Sequence, residues 1–128
     1  MPKTVIDCGN CGPDFGAIRR LIEGRYDAVV VQAHELEGTL KILNEQPVDL
    51  VTVNRKLDQD YTDGIEVIRG IKADPRWAKL PVMLITNYEE YHQESIAAGG
   101  VRGFGKLSLS TPATLEMLDH YLASKGPA

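Results

Sequence analysis

The chain has 128 residues, enough for one domain that buries roughly two-thirds of its unfolded surface and folds without a metal or disulfide staple. Its net charge of −4, from 14 basic and 18 acidic residues mixed along the chain, excludes the basic footprint of a nucleic-acid binder and the polybasic face of an anionic-membrane binder, leaving proteins as expected partners. The longest apolar runs are strand-sized, and Met1-Pro2-Lys3 leads straight into Val5-Ile6 without a secretory pattern, so a cytoplasmic protein is expected.

Thr4-Val5-Ile6 opens a first strand that runs into the loop Asp7-Cys8-Gly9-Asn10-Cys11-Gly12-Pro13. Phe15, Ile18 and Ile22 then recur at helical spacing, and Gly24 and Tyr26 mark the end of that helix. Ala28-Val29-Val30-Val31 is continuous and β-branched, the signature of a parallel strand buried on both faces, and Leu36, Leu40 and Leu43 stripe a second helix. Gln46-Pro47-Val48 leads into Asp49-Leu50-Val51-Thr52-Val53-Asn54, a buried strand that delivers one polar amide to its carboxyl end. A polar loop, Arg55 to Thr62, precedes Asp63-Gly64 and a helix striped by Ile65, Ile68 and Ile71, stopped by Asp74-Pro75. Pro81 starts Val82-Met83-Leu84-Ile85-Thr86, followed by a polar helix from about Glu89 to Ala98, the turn Gly99-Gly100 and a short strand near Arg102 to Gly105. The loop Lys106 to Ser110 leads to a last helix with Thr111 as N-cap, Pro112 at its first position, and Leu115, Leu118 and Leu122 inward. Residues 1–123 read as one domain and 124–128 as an unstructured tail, so the chain is expected to carry no output domain.

Five strands alternating with five helices imply an α/β, doubly wound parallel sheet with helices on both faces. In such a sheet the loops after the strands share one edge, which gathers Asp7 to Cys11, Asn54 to Asp60, Thr86-Asn87 and Lys106 around one crevice. Asn54 stands where a nucleophile is expected, and an amide is uncharged and a poor nucleophile.

The chain resembles a response-regulator receiver domain (CheY-like), the phosphoacceptor module of two-component signalling, over essentially its whole length. The matching pieces are Pro47-Val48-Asp49-Leu50-Val51, Asp63-Gly64-Ile65-Glu66-Val67-Ile68, Lys72-Ala73-Asp74-Pro75, Leu80-Pro81-Val82-Met83-Leu84-Ile85-Thr86, Ala98-Gly99 and Lys106. The resemblance implies a five-stranded flavodoxin-like sheet of order 2-1-3-4-5. It also implies an aspartate phosphorylated by a histidine kinase, magnesium held by an acidic pair after the first strand, a hydroxyl at Thr86 and a lysine at Lys106. The acceptor position is filled by Asn54, and the acidic pair falls on Gly9-Asn10 or Cys8-Gly9, so no metal and no cofactor are expected, with Asp7 as a possible remnant acid. Two extra residues lengthen the loop after Asn54, Leu107 replaces the usual proline after the lysine, and the switch-aromatic position falls on Gly103, with Phe104 one place off.

The expected function is that of a degenerate, phosphorylation-independent receiver. Such a module is not an enzyme; it binds a histidine kinase or other signalling protein, no nucleic acid and no membrane, in an oligomeric state the sequence leaves open, a homodimer included. Its candidate contact residues are Tyr88, Tyr91 and Phe104, on the face of the fourth helix, fifth strand and fifth helix that receivers commonly use. Two alternatives stand beside it: a redox-sensing module using the C-x-x-C pair Cys8 and Cys11, and a receiver phosphorylated at a displaced aspartate, Asp7, Asp58 or Asp60. Gly100 to Lys106 has the spacing of a phosphate loop, but Leu107 lacks the metal-binding hydroxyl and no helix follows directly. His34, His92 and His120 show no ligand spacing and read as helix-surface residues.

Overall fold

The computed structural model describes residues 2–123; the expected tail lies outside the described residues. The strands are β1 (Lys3–Cys8), β2 (Ala28–Ala33), β3 (Leu50–Asn54) and β4 (Val82–Ile85), and the helices α1 (Gly12–Arg25), α2 (Leu36–Glu45), α3 (Gly64–Lys72), α4 (Glu89–Ala97) and α5 (Pro112–Leu122). All strand pairs are parallel, in the order β2-β1-β3-β4. Side chains alternate across the sheet. Ile6, Val51, Val53 and Leu84 face Leu43 of α2 and Ile65, Ile68 and Ile71 of α3, while Val5, Val30, Leu50, Met83 and Ile85 face Ile18 and Ile22 of α1 and Leu118 and Leu122 of α5. No described helix is long and apolar enough to cross a membrane.

The expected fifth strand is not a regular strand. Val101 bridges Met83 and its N–H bonds to Val82 O at 2.9 Å, but Thr86 N then bonds to Phe104 O at 3.0 Å, where a regular parallel continuation would use Gly103 O. This one-residue slip is a bulge centred on Gly103, where a Cβ would stand 2.1 Å from Leu84 O. The extra residue turns Phe104 inward, 3% exposed, against the cluster that holds Ile18, Met83, Ile85 and Leu118. Phe104 is therefore a core residue and not an exposed contact.

The local signals for the helix starts hold. Asp63 caps α3 through Ile65 N at 3.0 Å, and the Thr111 hydroxyl accepts from Thr114 N ahead of Pro112 at the start of α5. α4 differs in how it is anchored. Its buried residues are His92 and Ser95, and neither His92 Nδ1 nor Ser95 Oγ has a partner among the described residues. It is held instead by packing of Tyr91 against the core and by an ion pair of Glu89 with Arg102. His92 is thus a buried histidine, contrary to its expected place on a helix surface, and burial lowers its pKa.

Candidate functional site

Because every strand runs the same way, the loops after β1, β3, β4 and the bulged fifth segment meet on one edge of the sheet. There Asn54, Arg55, Thr86, Tyr88, Tyr91 and Lys106 line a cleft of about 330 Å³. Three of the expected site residues, Asn54, Thr86 and Lys106, are thus brought together. Gly9, Asn10 and Asp7 lie beside and beneath the cleft and do not line it.

Asn54 ends β3 with its side-chain amide committed. Nδ2 donates to Lys56 O at 2.6 Å and to Gly9 O at 3.3 Å, and Gly9 O also accepts from Asp58 N at 2.9 Å. One amide therefore stitches the loop after β1 to the loop after β3, a role a carboxylate cannot fill because it has no proton to donate. The lengthened loop is closed by a bridge between Lys56 and Asp63 and by the Leu57 N to Thr62 O bond at 2.9 Å. It is not wholly solvated, since Leu57 is 1% exposed and folds down over Gly9. Gly9 has φ +81°, and a Cβ added there would meet Leu57 Cδ2 at 2.4 Å. The acidic-pair position is closed twice over, by backbone conformation and by an apolar lid.

Asp7 pairs in register with Thr52 of β3 and shares the α1/α5 face of the sheet. It is fully buried; its Oδ1 accepts from Asn10 Nδ2 at 2.7 Å and from Thr52 Oγ1 at 2.8 Å, while Oδ2 has no partner. Burial pushes its carboxyl up to about 6, against the hydrogen bonds from Thr52 and Asn10 and the charge of Lys106. Lys106 does not pair with Asp7. Its Nζ donates to Asp14 Oδ2 in the first turn of α1 at 2.8 Å, and that ammonium holds Asp14 below the usual carboxylate range.

The residues present do not fit the magnesium ion that the resemblance implies. Asp7 is sealed under Asn10 and Thr52, Gly9 is covered by Leu57, and Lys56 O already accepts from the Asn54 amide. Among the described residues no three His, Cys, Asp or Glu side chains converge on a point that could hold a metal.

Cys8 and Cys11 are free thiols in unlike places. Cys8 is buried on the α2/α3 face, where burial pushes its thiol up to about 12. Cys11 is exposed at the start of α1 and donates to Asp14 Oδ2 at 3.3 Å. A thiol raised this far is a poor attacking group. Of the displaced aspartates, Asp58 lies 3.6 Å from His34 Nδ1, and Asp60 is exposed and accepts from Thr62 N at 2.9 Å.

Two residues the sequence reading did not single out complete the site. One is Asp14, which takes Lys106. The other is Arg55, whose guanidinium lies 3.9 Å from the centre of the Tyr91 ring and 3.9 Å from Asp63 Oδ2, with its Nε buried and without a partner among the described residues. Tyr88, 63% exposed, meets Tyr91 edge to face.

Residues 15–107 match the family model for the response regulator receiver domain. The fold is similar to that of chemotaxis response regulator CheY4 of Vibrio cholerae, with a TM-score of 0.73 at 15% identity over 95% of this chain and 100% of that one. It is also similar to a response regulator from Chloroflexus aurantiacus, with a TM-score of 0.83 at 16% identity over 96% and 99% of the two chains. The RcsB response regulator of Salmonella typhimurium aligns with a TM-score of 0.73 at 18% identity over 93% of this chain and 60% of that one. No curated protein matches the chain in sequence.

Proposed function

The chain belongs to the response regulator receiver domain family, and we propose that within two-component signalling it is a degenerate member that works by protein contact without being phosphorylated. The carrying observation is the side chain of Asn54, which is both a non-nucleophile and a structural donor to Gly9 O and Lys56 O. A phosphoacceptor needs a free carboxylate beside a divalent cation that neutralises the incoming phosphoryl group. Here an amide occupies the strand end, Leu57 covers Gly9, and Asp7 is buried and half satisfied. The module has no reaction of its own. Its contact surface includes the exposed Tyr88 and the flank of α4, and its place is cytoplasmic.

The redox alternative draws no support from Cys8, whose thiol is buried and raised, and the displaced-aspartate alternative none from Asp60, which caps its own loop. The test is incubation with labelled acetyl phosphate in magnesium. The expected result is no acid-stable or acid-labile label on the protein. A hydroxylamine-sensitive label on any aspartate would sink the proposal.

A further inference from the structure

In a cleft at the carboxyl ends of the strands, the usual balance is cation against carboxylate. The cleft of this chain has the cations without the carboxylate. Arg55 and Lys106 line it together with the Thr86 hydroxyl, and no Asp or Glu contributes to its walls. Asp14 holds one of the three Lys106 protons from outside the cleft. Asp63 stands 3.9 Å from one Arg55 nitrogen, beyond hydrogen-bond reach, and Arg55 Nε is buried with no acceptor. Among the described residues Arg55 therefore has no carboxylate within hydrogen-bond distance, and its guanidinium lines the cleft as a cation without a close counter-charge.

The surroundings say what kind of acceptor. Of the large apolar side chains left exposed, Tyr61 (77%), Tyr88 (63%) and Leu107 (87%) sit on the loops that leave this same edge after β3, β4 and the fifth segment. Tyr61 also holds φ +58°, a left-handed conformation that costs an L-residue with a bulky side chain about 1 kcal/mol or more and presents its ring to solvent. A small free oxyanion makes no use of such a rim. A polypeptide that offers a carboxylate flanked by apolar side chains uses the cations and the rim at once.

We propose that the cleft is a docking site for an acidic-apolar segment of a partner protein, whose Asp or Glu carboxylate enters between Arg55 and Lys106 and supplies in trans the charge that Asn54 does not. The inference rests on the reading of the module as a phosphorylation-independent contact domain and names the chemistry of its partner. The carboxylate accepts from the part of the Arg55 guanidinium that lines the cleft and from a Lys106 proton, and the flanking apolar residues cover Tyr88 and Leu107. Asn54 is suited to this site because its amide is neutral. An aspartate there would place a like charge beside the incoming group.

The experiment pans a random peptide library displayed on phage against the immobilised full chain, then measures the synthesised enriched peptide by fluorescence anisotropy. The expected result is a shared Asp or Glu next to large apolar residues. Changing that acid to its amide should weaken binding about tenfold or more, as should Arg55→Gln or Asn54→Asp in the protein, while Arg25→Gln, on the exposed pair with Asp119, leaves it unchanged. Circular dichroism confirms that each variant is folded, and Asn54→Asp carries the test should Arg55→Gln fail to fold. Enrichment of peptides without an acid, no enrichment, or equal binding by Arg55→Gln and Arg25→Gln would overturn the proposal. A covalent label from acetyl phosphate would overturn the phosphorylation-independent reading while leaving the peptide result intact, so the two failures are distinguishable.

Discussion

Replacing Asp7 by Asn removes a titration from the middle of the sheet while keeping the side chain's shape. Burial holds the folded-state carboxyl at about 6 against an ordinary 3.8, so the folded chain keeps a proton over a range where the unfolded chain has released it. This group's contribution to stability is therefore fully present below the unfolded pKa and is lost as pH rises through about 6. At about 1.36 kcal/mol per pKa unit, the whole span is worth about 3 kcal/mol, and linkage places about 1.4 kcal/mol of it between pH of about 8 and about 5. Other groups titrate in that window or below it. His92, with a lowered pKa, works in the opposite direction but alike in wild type and variant; Asp14, which interacts with Asp7, and Glu89 are held below the usual carboxylate range and lose their contribution only at more acid pH. The quantity to measure is therefore the difference between the two proteins, from urea midpoints at a series of pH values. The offset at any one pH is uninformative, because the new Nδ2 falls where Oδ2 now has no partner and a buried unpaired amide costs about 1–3 kcal/mol. The slope is informative: wild type should gain on Asp7→Asn by about 1.4 kcal/mol as the pH falls from about 8 to about 5. A constant difference, or one that moves the other way, would refute the reasoning and mean that the carboxylate is ionised and fully compensated by its neighbours.

Asn54→Asp should cost about 1–3 kcal/mol in urea denaturation, since the amide bonds to Gly9 O and Lys56 O become carboxylate oxygens facing carbonyl oxygens; the variant should still take no label from acetyl phosphate in magnesium. Gly9→Ala should lower the urea midpoint by the equivalent of about 1–3 kcal/mol, because φ +81° is strained for alanine and the new methyl meets Leu57; unchanged stability would show that the lid is soft. A thiol reagent should modify Cys11 in the native protein and reach Cys8 only on unfolding, and equal rates for the two would mean that β1 opens at its carboxyl end.

The fold was legible wherever burial on both faces imposes one composition. Val82 to Ile85 is continuous and apolar because helices cover the sheet on either side, and Thr111-Pro112 announces α5 because a cap is a local interaction; Val29-Val30-Val31, expected to be buried on both faces, lies on the edge strand β2, where Val29 is exposed. The fifth strand was not legible in the same way. Its glycines were visible, but whether Thr86 N bonds to residue 103 or 104 is decided by the approach of Gly103 to Leu84 O, a contact across the sheet. That slip also decides whether Phe104 points into the core or out to a partner. A period of two carries no information about where the period skips.

Topology brings Asn54, Thr86 and Lys106 to one cleft, since a parallel sheet brings strand ends to one edge whatever the loops do. It could not place Asp14 or Arg55. On the strand end, Asp7 has the chemistry to balance Lys106 but is sealed under Asn10 and Thr52. Asp14 lies half a turn into the next helix, 92 residues from Lys106 in the chain, and only the packing of α1 against the sheet edge joins them. Arg55 stands in a polar loop, and its ring partner, Tyr91, lies on another element. Together they explain why an amide at residue 54 does not strand a charge. Lys106 pairs with Asp14 in the first turn of α1 and Arg55 lies over the Tyr91 ring, so each cation is supported without Asn54. A lysine held under the sheet edge without a counter-charge would be costly; Asp14 removes that cost, so a neutral amide at residue 54 leaves no unpaired ammonium behind.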